Sequence, residues 1–156
     1  MMILEFKLAG ATAQYAALDE AIKVTQFIRN KCLRKWIDGR GVKPYDLNRY
    51  CAVLADEYAF ARTLNSQARQ AAAITRFYKN CREHRPGTKG YLRFQKDGRS
   101  VEYKQTGWKL DADRKRLTLT DGIGAGTFRL KGTRDLLGYA LEQIKRVRIL
   151  KRADGH

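Results

Sequence analysis

The sequence predicts an α+β fold in which one strand is followed by three helices and then by a small antiparallel sheet or open barrel. Two patterns in the 156-residue chain support this prediction. Apolar residues recur at steps of three and four in residues 11–85, which is typical of amphipathic helices. Short alternating segments separated by glycines fill residues 86–156, which is typical of antiparallel strands. We therefore expect a first strand in residues 1–10, a helical region in 11–85 and a β-rich region in 86–156.

The first strand and the first helix follow from hydrophobic periodicity. Residues 2–8 alternate between apolar and other side chains, which predicts a half-buried strand. Gly10 breaks this pattern, and Thr12 is a candidate N-cap for a helix that runs to about Asp38. The apolar stripe of that helix consists of Leu18, Ile22, Thr25, Ile28, Cys32 and Trp36.

Two further helices are predicted. The second begins at Pro44, because proline suits the first turn of a helix. Its apolar face consists of Leu47, Tyr50, Cys51, Leu54, Ala55 and Tyr58. The third begins near Asn65 and Ser66, either of which can cap it, and runs to about Glu83.

Three arginines recur at seven-residue spacing around the start of the third helix. Arg62, Arg69 and Arg76 share one face wherever the segment is helical, and Lys79 follows one turn later. Such spacing is most often a solvated face. The three arginines lack acidic neighbours four residues away, however, so surface ion pairing does not explain them, whereas a phosphate backbone would.

The β-rich region combines glycine turns, aromatic side chains and cations. Alternation predicts strands at 91–94, 101–103, 116–120, 127–130 and 146–149, and residues 121–126 form a glycine-rich hairpin loop. The outward cations of these strands include Arg93, Lys104, Lys109, Arg129, Arg146 and Arg148. Aromatics interleaved with cations suit base stacking together with phosphate contact. The alternative is that these rings belong to the core, which we expect for about half of Tyr91, Phe94, Tyr103 and Trp108.

The charge of the chain is strongly positive. Lysine and arginine total 32 against 16 acidic residues, which gives a net charge of +16. Residues 1–60 carry 9 basic and 7 acidic side chains, whereas residues 61–156 carry 23 and 9. The second part therefore holds +14 of the +16. A folded chain with such a field is expected to bind a polyanion, most commonly nucleic acid.

Other classes of function lack support in the sequence. Cys32, Cys51 and Cys81 form no CxxC pair, and Cys81 with His84 supplies two metal ligands at most. No nucleophile–base set and no phosphate-binding loop is present, so we expect no catalytic residue, no cofactor, no metal and no small-molecule ligand. No apolar stretch reaches the roughly 18 residues of a membrane span, and no secretory leader is evident, which favours a cytoplasmic protein without a membrane partner.

Eight stretches follow one another along the chain: Phe27–Cys32, Leu64–Ala71, Arg76–Cys81, Gly87–Phe94, Arg99–Lys104, Gly107–Leu110, Gly132–Leu136 and Ile144–Ile149. In this order they resemble the N-terminal region of the OrfB/TnpB family of insertion-sequence proteins, which are RNA-guided nucleases related to compact type V CRISPR effectors.

The resemblance implies a recognition lobe built from the helices, described in some schemes as a helix-turn-helix, and a wedge-like barrel that the first strand joins. It also implies contacts with a guide RNA, with the guide–target heteroduplex and with a short DNA motif. Tyr45 and the Asn65–Gln70 segment resemble the part that contacts this motif, with Arg69 and Gln70 as the leading contacts. Together with the cations above, the expected nucleic-acid contacts are Tyr45, Asn65, Ser66, Arg69, Gln70, Arg76, Lys79, Lys89, Tyr91, Arg93, Arg99, Tyr103, Lys104 and Lys109.

The chain also departs from the family pattern. The RNase H-like nuclease of the family follows the strand at 146–149, and the sequence stops at His156. We therefore expect a truncated transposase that binds guide RNA and double-stranded DNA in the bacterial cytoplasm, on the nucleoid when bound, but does not cut. A separately encoded nuclease half is a further expected partner. The alternatives are a non-functional transposon remnant and a stand-alone DNA-binding regulator at transposon ends.

Overall fold

The computed structural model describes residues 2–39, 41–74 and 94–152, and these form an α+β fold, which confirms the predicted class. The described helices are α1 (Thr12–Asp38), α2 (Pro44–Glu57), α3 (Ala59–Thr63) and α4 (Ser66–Ile74). The described strands are β1 (Lys7–Ala9), β2 (Ser100–Tyr103), β3 (Trp108–Leu110), β4 (Arg116–Leu119), β5 (Gly126–Lys131) and β6 (Val147–Leu150). A single 3₁₀ turn spans Leu141–Gln143.

Helix α1 has the bounds that the sequence predicts. Its N-cap is Ala11, one residue before the predicted Thr12. The backbone N–H of Ala11 donates to Oε1 of Gln14 at 2.8 Å, so the Gln14 side chain satisfies a donor at the helix start. The buried residues of α1 are Leu18, Ala21, Ile22, Val24, Ile28, Cys32 and Leu33. Trp36, which ends the predicted stripe, is partly exposed.

A short helix that was not predicted lies between the second and third predicted helices, so the described part of the chain holds four helices rather than three. The chain leaves α2 at Tyr58, makes the short helix α3, and leaves helical geometry again at Leu64, whose backbone is extended. Helix α4 then begins at Ser66, as predicted, and is described as far as Ile74. The rest of the helix predicted to reach Glu83 lies outside the described residues.

Four strands form one antiparallel sheet in the order β1-β5-β4-β3, so the first strand does join the later ones. It is shorter than predicted, however, because it covers Lys7–Ala9 instead of residues 2–8. The reason lies in its partner: β5 ends at Lys131, directly opposite Lys7, so residues 2–6 extend beyond the strand with which they would pair.

The predicted barrel is not closed. Strands β2 and β6 pair only with each other in a separate two-stranded sheet, with Val101 opposite Ile149. Strand β3 was not predicted. The predicted hairpin loop at 121–126 does connect β4 to β5, which pair in antiparallel register. Of the strand predicted at 91–94, residues 91–93 lie outside the described part, and Phe94 is not in a strand.

One hydrophobic core joins the helices to both sheets. The four-stranded sheet contributes Leu8, Leu117 and Phe128, and the two-stranded sheet contributes Val101 and Ile149. The start of α1 is also tied to β5, since Nε2 of Gln14 donates to the carbonyl oxygens of Ala125 at 2.9 Å and Thr127 at 2.8 Å. These contacts hold one side of the four-stranded sheet against the core and leave the other side in solvent. Among the described helices, none combines the length and the apolar character that crossing a bilayer requires.

Candidate nucleic-acid interface

The solvent side of the four-stranded sheet is covered with cations. Residues directly opposite each other in an antiparallel ladder project to the same side of the sheet. Lys7 lies opposite Lys131, and Arg116 lies opposite Arg129. On the same side of the sheet, Lys109 lies opposite Thr118. We call the exposed set Lys7, Lys109, Arg116, Arg129 and Lys131 the cationic sheet face.

Within the described strands, the cationic sheet face carries no aspartate or glutamate. None of its five cations forms an ion pair with a described carboxylate. The remaining side chains of this face include Thr118 and Thr127, whose hydroxyl groups are 2.8 Å apart. Like charges placed directly opposite each other destabilise a sheet. The fold therefore maintains this arrangement against an electrostatic cost.

Asp111, a carboxylate beside the cationic sheet face, holds a turn together. Asp111 follows β3, and its Oδ1 accepts the backbone N–H groups of Lys115 at 2.8 Å and Arg116 at 3.1 Å. The hydrogen bond from the Arg116 backbone is the main reason why the pKa of Asp111 lies below its usual value, and the Arg116 charge adds to the effect. Asp111 thus stabilises the β3–β4 connection, and its charge lies at the rim of the cationic sheet face.

The arginines at the two-stranded sheet, in contrast, are paired with a carboxylate. Arg146 and Arg148, both predicted to point outward, donate to Oε1 of Glu102 at 3.1 and 3.4 Å. Glu102 lies directly opposite Arg148 in the ladder. One carboxylate therefore serves two arginines, and this sheet presents less uncompensated positive charge.

Two of the three arginines with seven-residue spacing, Arg62 and Arg69, have structural partners. Nη1 of Arg69 donates to three carbonyl oxygens at the end of α3, those of Ala61 at 3.1 Å, Arg62 at 3.2 Å and Leu64 at 3.0 Å. Nε of Arg62 donates in the same way to the carbonyl of Ala55 near the end of α2, at 3.2 Å. The expectation that the two share a helix face is wrong, because they lie on different helices. Each of the two binds carbonyl oxygens at the end of the preceding helix, where the partial negative charge of the helix end favours a cation.

Asn65 is the residue that caps α4. Its Oδ1 accepts the backbone N–H groups of Gln67 at 3.0 Å and Ala68 at 3.2 Å. Its Nδ2 donates to the hydroxyl of Thr106 at 3.2 Å, which connects the helix to the β2–β3 turn. Gly107 in that turn has φ +91°, and a Cβ atom there would lie 2.9 Å from the Asn65 side chain. The positive φ and the close approach of Asn65 both favour glycine at this position of the turn.

Tyr103 is placed differently from the prediction. It is fully buried, and its hydroxyl donates to Oδ2 of Asp121 at 2.9 Å. Burial is the main reason why its pKa is raised. The ring cannot stack on a base in this position. The same carboxylate oxygen accepts the backbone N–H of Asn65 at 2.9 Å, so Asp121 joins the β4–β5 loop to β2 and to the start of α4.

The other predicted contacts are dispersed. Lys109 belongs to the cationic sheet face, and Tyr45 is exposed on α2 with Arg49 over its ring at 5.6 Å. Arg99 forms an ion pair with Asp97 at 3.2 Å. Ser66 is exposed, and Gln70 and Lys104 are half-buried. Five predicted contacts lie outside the described residues: Arg76, Lys79, Lys89, Tyr91 and Arg93.

Sequence reasoning missed four members of the cationic sheet face. Lys7, Arg116, Arg129 and Lys131 were not among the predicted contacts, although Arg129 was predicted to point outward and Lys7 and Arg116 fall on the outward positions of alternating segments. That alternation could have identified them. Their proximity could not have been found in this way, because Lys7 and Lys131 are brought together only by the pairing of β1 with β5.

The described residues hold no group of three or more histidine, cysteine or acidic side chains that could bind a metal ion. Cys32 and Cys51 are free thiols buried between helices. The pKa of Cys32 is raised, first by its hydrogen bond with Cys51 and then by burial. No protein-family model matches the sequence, and no curated protein matches it at a significant level. The resemblance to the OrfB/TnpB family therefore stays a prediction.

Proposed function

We propose that this protein binds nucleic acid and that the cationic sheet face is the main surface that contacts the phosphate backbone. The observation that carries the proposal is the pair of like-charge oppositions, Lys7 with Lys131 and Arg116 with Arg129. A sheet gains nothing in stability from such pairs. A bound polyanion turns both of them from repulsive into favourable.

The spacing of the cations supports the same proposal. Neighbouring strands lie about 4.8 Å apart, and residues two positions apart along a strand lie about 6.6 Å apart. Each of the five cations therefore lies within the Debye length of about 8 Å from at least one other at physiological ionic strength. Their fields add, and a polymer with regularly spaced phosphates can contact several of them at once.

Guide RNA and double-stranded DNA are the partners that the family resemblance favours, and both present such a backbone. Contacts to phosphate position a protein on nucleic acid without selecting a sequence. The cationic sheet face consists of lysine, arginine and threonine side chains, which suit backbone contact. We therefore propose a general affinity for structured RNA and duplex DNA at this surface, with little dependence on sequence.

The test is a salt titration of binding, measured by fluorescence anisotropy with a labelled 20-base-pair duplex and a labelled RNA hairpin. Four to five phosphate contacts give a slope of about −4 in log affinity against log salt, so affinity should fall roughly 10²–10³-fold between 50 and 200 mM salt. Circular dichroism at each salt concentration verifies that the protein is folded. Affinity that stays constant over this range in the folded protein would contradict the proposal.

A further inference from the structure

A second surface, on α1, combines flat aromatic rings with cations. An open groove of about 390 Å³ runs along this helix and is lined by Lys23, Gln26, Phe27, Asn30, Lys31, Arg34 and Phe94. None of these residues belongs to the cationic sheet face, and the proposed function above does not use them. We call this surface the α1 groove.

The wall of the α1 groove that carries Phe94 is fixed in place by hydrogen bonds. The side chain of Asn30 makes a pair of them with the Gln95 backbone: its Oδ1 accepts from the N–H at 2.7 Å, and its Nδ2 donates to the carbonyl at 2.8 Å. Oε1 of Gln26 accepts the backbone N–H of Gly98 at 2.7 Å. The segment after Phe94 is thereby held against α1, so the groove is preformed.

The rings and cations of the α1 groove are already in contact. The guanidinium of Arg34 lies over the Phe94 ring at 4.9 Å, and Phe94 is still 40% exposed. Nζ of Lys31 lies 5.6 Å from the centre of the Phe27 ring. Arg34 also pairs with Asp38 at 3.7 Å, but both side chains remain mostly exposed, so this pair is weak. The groove therefore keeps a positive potential beside exposed ring surface.

We propose that the α1 groove binds unpaired nucleotides, with a base stacked against Phe94 or the Arg34 guanidinium and the adjacent phosphates near Lys23 and Lys31. Aromatic and guanidinium planes are the surfaces on which proteins stack unpaired bases. In a duplex the bases stack on each other and cannot enter such a groove. The α1 groove is thus a site for single strands, whereas the cationic sheet face contacts any phosphate backbone. This inference rests on the proposed function, because both assume a nucleic-acid partner.

The experiment compares one variant on two ligands. Phe94→Ala should weaken binding of a 12-nucleotide single strand by about 5- to 150-fold, the usual effect of removing one stacking ring. Binding of a duplex with the same number of phosphates should change less than twofold. A 2-aminopurine base in the single strand should be quenched on binding to the wild type and not to the variant. Val53→Ala, which alters an exposed apolar side chain on α2, should change neither affinity.

Two further variants guard against a folding defect in Phe94→Ala. Phe94→Leu keeps an apolar side chain but removes the flat ring, and Arg34→Gln removes the guanidinium without altering Phe94. Both should selectively weaken single-strand binding, with thermal unfolding unchanged to within a few degrees. Equal losses on single strand and duplex, or no loss on either, would overturn the inference. If the wild type binds neither ligand at any salt concentration, the proposed function fails; if salt-dependent duplex binding persists while the groove variants have no effect, only this inference fails.

Discussion

The two sheets of this protein differ in whether their cations are paired with carboxylates. In the two-stranded sheet, Arg146 and Arg148 both contact Glu102, which balances half of their combined charge. In the four-stranded sheet, Lys7 faces Lys131 and Arg116 faces Arg129, with no carboxylate on that side of the described strands. The difference shows that position in the fold, rather than the number of cations, decides which of them are available to a partner.

Arginines with partners are also found on helices α3 and α4. Arg62 and Arg69 have no acidic neighbours in the sequence, which made them candidates for phosphate contact, but backbone carbonyls at the ends of α2 and α3 accept their N–H groups. These arginines serve the fold. The cations of the four-stranded sheet make no comparable contact among the described residues, and the predictions below test this division.

The largest effect should follow from neutralising the cationic sheet face. The variant Lys7→Gln/Arg116→Gln/Arg129→Gln/Lys131→Gln removes four phosphate contacts at about 1 kcal/mol each, so nucleic-acid affinity should fall roughly 10²–10³-fold. The salt slope should fall by about 4 at the same time. Anisotropy titrations with the 20-base-pair duplex at several salt concentrations measure both quantities.

The matched control is Arg146→Gln/Arg148→Gln in the two-stranded sheet. Because both side chains are already paired with Glu102, their removal should change the affinity and the salt slope much less than the four-residue variant does. Comparable losses per cation in the two variants would show that net charge controls binding and that the contrast between the sheets has no functional meaning.

The next effect concerns stability. Arg69→Ala leaves three carbonyl oxygens at the end of α3 without their donor and should lower the free energy of unfolding by about 1–3 kcal/mol. Arg49→Ala removes an arginine from an exposed position on α2, where it lies over Tyr45, and should cost less than about 0.5 kcal/mol. Urea denaturation measures the difference. Equal, small effects would mean that Arg69 is not needed by the fold and is available for binding.

A smaller effect, with opposite sign in the two sheets, tests the electrostatic cost directly. Arg129→Thr removes the repulsion with Arg116 and introduces a residue with high strand propensity, so it should stabilise the protein by about 0.2–1 kcal/mol. Glu102→Gln removes the partner of two arginines and should destabilise the protein by a similar amount. Denaturant midpoints at low salt give both signs, and 1 M salt should reduce both effects, since the Debye length is then about 3 Å.

The sequence predicted α1 almost to the residue, because its 27 residues carry many turns of apolar periodicity with glycine just after the end. It did not predict the length of β1, which depends on where β5 ends, or the short helix α3. The alternation of residues in β2 could have predicted that Tyr103 is buried, since this residue shares a strand face with Val101. The cationic sheet face depends on which β-strands are neighbours, and the residue pattern within one β-strand does not reveal its neighbours.

The smallest effect involves Asp121, the carboxylate in the loop between β4 and β5. Burial raises the pKa of Asp121 above its usual value, while hydrogen bonds from Asn65 and Tyr103 oppose the rise, so the two influences partly cancel. A raised pKa in the folded state means that this group contributes stability at low pH and loses it as the pH rises through that pKa. Asp121→Asn cannot titrate. Relative to this variant, the wild type should therefore be more stable at pH 4 than at pH 7, and other carboxylates cancel in the comparison. Urea midpoints of both proteins across this range measure the difference. A difference that is constant, or that grows in favour of the wild type towards pH 7, would mean that the hydrogen bonds outweigh burial and that the loop holds a stabilised negative charge.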